Sequence, residues 1–469
     1  MCDDAPLSRR HFLWQSGGGL GAIALAWMEA RAQDRPDRPL FPSRAKRIVQ
    51  VFAAGGVSHV DTFDYKPELE KHDGQALSGK GKVDTFFGRP GNLLKSPFAF
   101  RPRGESGLLV SDLLPEIASC ADELCIVRSM VSKNNNHTPA TFLMNSGFTM
   151  TGFPSIGAWV SYGLGCETDD LPAFVVLPDP RGEPAGGSAN WSAGFLPAAH
   201  QGVAFSTRTA EPVKDLAPPA SADPAARAAG LELALAINRE DAARNAGDAA
   251  LGARLRSYEL AGRMQVRVPE AADLSGESGE TRRLYGLDRK ESEGFGRNCL
   301  LARRLLERGV RFVQLFHGGA FGGNPRINWD GHEDVVANHT LQASSLDRPL
   351  AGLLRDLRRR GMLDDTLVLF STEFGRTPMT EGVGTRGRDH HPHAFSCWMA
   401  GGGVRRGVAF GASDEVGYHA VENPVTTYDL HATILRLLGL DHTKLTFYHN
   451  GIRRRLTDVH GHVVEGLLA

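Results

Sequence analysis

TLVLFSTEFGRTPMTEGVGTRGRDHHPHAF occupies residues 366–395. Thr366 to Phe370 is apolar and β-rich, and it runs straight into Ser371-Thr372-Glu373-Phe374-Gly375-Arg376. Fifteen residues beyond Glu373, Arg388-Asp389-His390-His391-Pro392-His393 puts three imidazoles and a carboxylate into six positions. In open α/β sheets, ligands collect at the carboxyl ends of the strands. An acid and an arginine at such an end, followed by a histidine cluster, point to a metal or anion site. A solvated polar loop is the alternative reading of the same residues.

Outward from this stretch, strand-like and helix-like segments alternate, which predicts an α/β sandwich with a mainly parallel sheet. Strands are expected at 47–52, 124–127, 173–177, 310–316, 366–370 and 395–399. Leu346, Leu350, Leu353, Leu354 and Leu357 recur at helical spacing and form one apolar stripe. Arg358-Arg359-Arg360-Gly361 then ends that helix with cations and a glycine, as the helix dipole favours. Residues 180–290 differ: loops are expected from Pro180 to Arg227 and helix from Leu231 to Met264. They read as a loop-rich and helical insertion in a single domain spanning 45–469.

The formal net charge of −1 and the absence of a long basic stripe exclude nucleic acid as the expected partner. Ser8-Arg9-Arg10-His11-Phe12-Leu13 is a twin-arginine pattern. An uncharged, glycine-rich segment and the A-x-A site Ala30-Arg31-Ala32 follow it, so residues 1–32 read as a cleaved Tat signal peptide. The expected location is periplasmic or secreted, with no stable membrane span after cleavage. Of the cysteines beyond residue 32, none forms a CxxC pair, and Cys120 and Cys125 could bridge in an oxidising compartment.

Four segments could meet at one end of such a sheet. They are Gly55 to Asp64, with His59 and Asp61; Asn134 to Thr141, with His137 and Thr138; Asn328 to Asp334, with Asp330 and His332; and Glu373 to His393. Asp, Glu and His supply the oxygen and nitrogen ligands of a divalent metal such as zinc, manganese, magnesium or calcium. A metal so held polarises a phosphoryl or sulfuryl oxygen and lowers the pKa of bound water. Asp330 or Asp334 could instead cap the helix that follows. Arg376 could clamp a phosphate or sulfate in bidentate fashion, or pair with Glu373 as a structural bridge.

GGVSHVDTFDYKPEL, NHTPATFLMNSG, WDGHED, EFGRTP, GRDHHPHAFSCWMAGGGV and PVTTYDLHATILRLLGL, in that order, resemble the domain-of-unknown-function 1501 family. The resemblance covers nearly all of 45–440 and implies an often Tat-exported branch of the alkaline phosphatase/sulfatase superfamily. It also implies the alkaline-phosphatase-like α/β/α sandwich. In that superfamily a metal-binding aspartate follows the first strand, where this chain has Gly55-Gly56, so the ligand is missing or displaced to His59 or Asp61. Counted back from Gly147, the nucleophile position is His137, and no cysteine stands there for conversion to formylglycine. Thr138 is then a displaced nucleophile, or His137 binds metal or carries a phosphoryl group, or no covalent step occurs. Asp330 and His332 match an Asp and a His that precede a long helix. Glu373 stands for a strand-end ligand, and His390 or His391 for the last histidine.

The expected function is an exported metal-dependent hydrolase of phosphate or sulfate esters, acting on an ester substrate such as one on an extracellular polymer. Its expected metal ligands come from Asp330, His332, Glu373, His390, His391, His59 and Asp61, with His137, Thr138 and Arg376 in catalytic roles. The competing expectation is a non-catalytic metal- or ligand-binding protein on the same scaffold. A phosphomutase is a third, which export to the periplasm disfavours.

Overall fold

In β1 (Arg47–Ala53), Val49, Val51 and Ala53 face one core, while Ile48 and Phe52 face a second. Alternation at period two sends neighbouring side chains to opposite faces. A strand apolar on both faces therefore belongs to a sheet covered on both sides. The computed structural model that shows this describes residues 41–469 apart from 80–82, 87–89, 210, 215, 217–222, 246–248, 320–325 and 383. The twin-arginine segment and the Ala30-Arg31-Ala32 site lie outside the described residues.

Among the described residues the central sheet has nine strands. With β1 they are β2 (Leu124–Val131), β3 (Phe174–Leu177), β4 (Val203–Ala204), β5 (Phe312–His317) and β6 (Thr366–Ser371), then β9 (Phe395–Ala400), β10 (Val408–Phe410) and β11 (Val425–Thr426). The order across the sheet is β10-β2-β9-β6-β1-β5-β3-β4, with β11 also on β2. All pairings are parallel except those of β9, which runs antiparallel to both β2 and β6. The six expected strands are all present. β4, β10 and β11 are only two or three residues long, too short to show alternation, and the sequence reading missed them.

Helices α3 (Glu293–Glu307) and α4 (Val335–Arg359) cover one face. Helices α2 (Ile156–Leu164) and α5 (Thr427–Leu437) cover the other. The five leucines of the α4 stripe are all buried, each worth roughly 1.5–3 kcal/mol of removed apolar surface. Asp334 caps α4 by accepting from the Val336 and Ala337 N–H groups at 2.8 and 3.1 Å, which settles the capping alternative on Asp334 and not Asp330. Within 180–290, helices occupy Pro224–Arg244 and Ala249–Ala272, and Met264, Val268 and Ala271 join the core beneath α3. Cys120 and Cys125 are both free thiols, so the bridge that the sequence allowed is not formed in this structure.

On α5, His431 is wholly enclosed and bonds the Met144 carbonyl at 2.9 Å. Burial pushes its pKa down from 6.5 to about 4. The unfolded chain therefore binds a proton more readily than the fold does. The stability this ring contributes is present above pH 6.5 and is lost as pH falls toward 4. Wild type should lose about 2 kcal/mol more between pH 7 and pH 5 than His431→Gln, by urea unfolding. Equal losses would show that the ring is solvated or charged in the fold.

Candidate metal centre

Parallel pairing brings the ends of β1, β5 and β6 to one rim, in the register Ala53↔His317 and Phe52↔Ser371. Because β9 is antiparallel between β6 and β2, the carboxyl end of β2 and the amino end of β9 open on that rim as well. Five segments thus converge there: the Gly55-Gly56 turn, helix α1 (His137–Ser146), the Asn328–His332 loop, Thr372-Glu373, and a two-stranded ribbon. The ribbon pairs β7 (Gly375–Thr380) with β8 (Arg388–His391), matching His390 to Arg376 and His391 to Gly375.

The turn after β1 is shaped for close packing. Gly55 has φ +113°, and a Cβ there would lie 2.6 Å from the backbone nitrogens of Trp329 and Asp330. Any side chain would push the Asp330 segment away. The Gly55 N–H donates to Glu373 Oε1 at 2.8 Å, tying β1 to the end of β6. The turn therefore seats Asp330 and Glu373 while bearing no ligand itself.

His137, Asp330, His332 and His390 are all buried, and one ligand atom from each lies within 4.8 Å of the others. The Nε2 atoms of His137, His332 and His390 stand 3.2, 2.7 and 3.2 Å from Asp330 Oδ1. Each ring is held at its other nitrogen by an oxygen. His137 Nδ1 bonds Glu373 Oε1 at 2.8 Å, His390 Nδ1 bonds the Asn135 carbonyl at 2.6 Å, and His332 Nδ1 bonds Glu381. With an ion bound, an Nδ1–H donated outward would leave Nε2 as the lone-pair nitrogen, so all three rings could offer a ligand atom to the same point. A tetrahedron of nitrogen and oxygen ligands around zinc has edges of roughly 3.3 Å. The donor set fits a divalent ion, with orienting partners for every imidazole.

Charges around the cluster keep Asp330 ionised. Burial would raise its pKa, but the Arg376 guanidinium and the three imidazoles outweigh it and hold the carboxyl far below the usual range. Burial pushes His390 down to about 3. For His137, burial works against the proton, yet the bonds to Asp330 and Glu373 prevail and raise its pKa.

The other expected residues take different places. Glu373 is not one of the four clustered residues; its carboxylate holds the Nδ1 side of His137. Thr138 lines the cavity beside the cluster, a space of about 250 Å³ bounded also by Phe86, Asn136 and Arg326. Arg376 does not face that cavity. Its buried guanidinium donates to the Gly56 carbonyl at 2.9 Å, the Arg388 carbonyl at 3.1 Å, the Gly55 carbonyl and Asp330 Oδ1 at 2.5 Å. It pairs with Asp330 and not with Glu373, and it positions the carboxylate instead of clamping an anion.

His59, Asp61 and His391 lie outside the cluster. His59 and His391 stack with centroids 6.1 Å apart and bond the Gly417 and Tyr418 carbonyls. Adjacent residues of a strand face opposite ways, so β8 cannot aim both His390 and His391 at one ion. Asp61 is paired with Arg388 at 2.7 and 3.0 Å. The sequence reading missed Glu381, the Asn135 carbonyl and Arg326. Glu381 lies within the quoted stretch and Arg326 is four residues before Asp330, but neither position has a distinguishing neighbour in sequence.

A mainly parallel α/β sandwich with three histidines and an aspartate converging at its strand ends has the makings of a metalloprotein. The chain belongs to the family described as Protein of unknown function (DUF1501), whose sequence profile matches residues 45–468. No curated protein matches the sequence. Among solved structures the chain is similar to a TAB5 alkaline phosphatase variant with magnesium bound, at 10% identity, 85% of this chain, 99% of that chain and a TM-score of 0.36. It is also similar to the PsFucS1 sulfatase from Pseudoalteromonas sp., at 12% identity, 92% and 76% coverage and a TM-score of 0.34. A third is the lipoteichoic acid synthase LtaP from Listeria monocytogenes, at 10% identity, 89% and 77% coverage and a TM-score of 0.34.

Proposed function

We propose that this chain is an exported, metal-dependent hydrolase of phosphate or sulfate esters, carried by the Tat route and acting on esters such as those on an extracellular polymer. The observation that supports the reading most is the convergence of three Nε2 atoms and one carboxylate oxygen on the wall of a cavity. His137, His332, His390 and Asp330 would hold the divalent ion, which supplies Lewis acidity toward an ester oxygen when bound. Glu373, Glu381 and the Asn135 carbonyl keep the three rings in one tautomer and orientation. Arg376 keeps Asp330 charged and in place. Thr138 borders the same cavity and is the hydroxyl placed to contact a bound ester. Among the described residues, no helix is long and apolar enough to cross a membrane.

A binding protein on the same scaffold is the second reading, and the sealed position of Arg376 favours it, because that side chain is withdrawn from any bound anion. Elemental analysis of the folded chain after dialysis, followed by a panel of phosphate and sulfate esters, separates the two. The expected result is one equivalent of a divalent metal with ester turnover that disappears in His390→Ala. Metal without turnover would leave the binding reading. No metal, even after reloading, would remove the hydrolase reading and leave ligand binding without metal.

A further inference from the structure

Arg326 stands on the cavity wall that Arg376 does not reach. Its Nη1 bonds Asp330 Oδ2, and its Nη2 bonds Glu333 Oε1 at 3.0 Å. The two partners differ in exposure: the Asp330 side chain is 2% exposed and that of Glu333 is 59% exposed. The inner pair is fixed by burial and by the imidazoles around Asp330. The outer pair lies in solvent, where such pairs contribute about 0–1 kcal/mol and are readily exchanged. Those two bonds engage two of the five N–H groups that a guanidinium carries.

We infer that Arg326 is the residue that binds the oxyanion of the substrate, with its inner edge kept on Asp330 and its outer edge passing from Glu333 to the incoming anion. The inference rests on the ester-hydrolase reading and names the part of the substrate that the cavity selects: a tetrahedral oxyanion head. Planar guanidinium matches such an oxyanion in bidentate fashion. One side chain then touches both a ligand of the proposed ion and the anion, which places the ester head beside the cluster. Phe86, whose ring lies 4.6 Å from that of His390, bounds the same space and gives the head an apolar neighbour. Glu333 acts as a stand-in anion that keeps the guanidinium paired between substrates.

The test is calorimetric binding of inorganic phosphate, sulfate and orthovanadate to the zinc-loaded full chain, with metal content measured on each sample. Arg326→Gln should weaken oxyanion binding by roughly 10- to 100-fold while the metal stays. Arg326→Lys should recover part of that loss, and Glu333→Gln should tighten binding because the competing carboxylate is gone. The phosphate and sulfate arms show which head is preferred. Unchanged affinity in Arg326→Gln would overturn the assignment and leave the ester reading standing. Loss of metal in Arg326→Gln would also overturn it, because Arg326 would then act through Asp330. No oxyanion binding by wild type would overturn the ester reading itself, and this inference with it.

Discussion

Asp330→Asn is expected to lose its metal and part of its stability together. The substitution removes the charged ligand on which three imidazoles converge. Affinity should therefore fall by more than the roughly 10–100-fold that follows from losing an outer partner. The same carboxylate balances Arg376, which is fully buried, and half-buried Arg326. Breaking a buried pair by removing one partner costs on the order of 3–5 kcal/mol, because the remaining charge stays out of water. Three carbonyls still accept from Arg376, so a loss near the lower end, about 3 kcal/mol, is expected. Urea unfolding of metal-free wild type and metal-free Asp330→Asn isolates this part, and elemental analysis reports the other. A variant that keeps a full equivalent of metal would remove Asp330 from the centre. Unchanged metal-free stability would show that Arg376 is neutralised by something else.

Asp61→Ala should give the opposite pattern, a large loss of stability with the metal retained by the folded fraction. Arg388 and Asp61 form a bidentate pair that is 0% exposed on both sides, and Ser58 Oγ donates to the same carboxylate at 2.5 Å. Burial would raise the Asp61 pKa, yet Arg388 outweighs it and holds the group ionised. Without Asp61, among the described residues the guanidinium keeps the Thr377 and Leu94 carbonyls. A loss of roughly 3–5 kcal/mol is expected from the stranded charge. Metal loss at unchanged stability would instead make Asp61 a ligand, as the sequence allowed.

These two aspartates show how far the residues alone could lead. Both follow an apolar strand, both sit near histidines, and both were reasonable ligands on paper. The partner that separates them is an arginine more than three hundred residues away for Asp61, and for Asp330 it is His137 and His390, two histidines from other segments that join the neighbouring His332. Nothing local to either aspartate encodes that choice.

The sheet was legible for a simple reason. Hydrophobic alternation and continuous apolar runs are local consequences of burying both faces of a parallel strand, so six strands and the α4 stripe could be read directly. Strand-end placement also brought out His137, Asp330, His332 and His390, because loops after parallel strands share one rim.

What the chain order could not state was direction. The pleat of β8 sends His390 inward and His391 away, the Gly55-Gly56 turn admits Asp330 without adding a ligand, and Arg376 folds under the site while Arg326 stands over the cavity. Local pattern in the sequence marks the strand-end segments from which donors are drawn. Only the packed structure decides which way each one points, since burial, charge pairing and the pleat act between residues far apart in the chain.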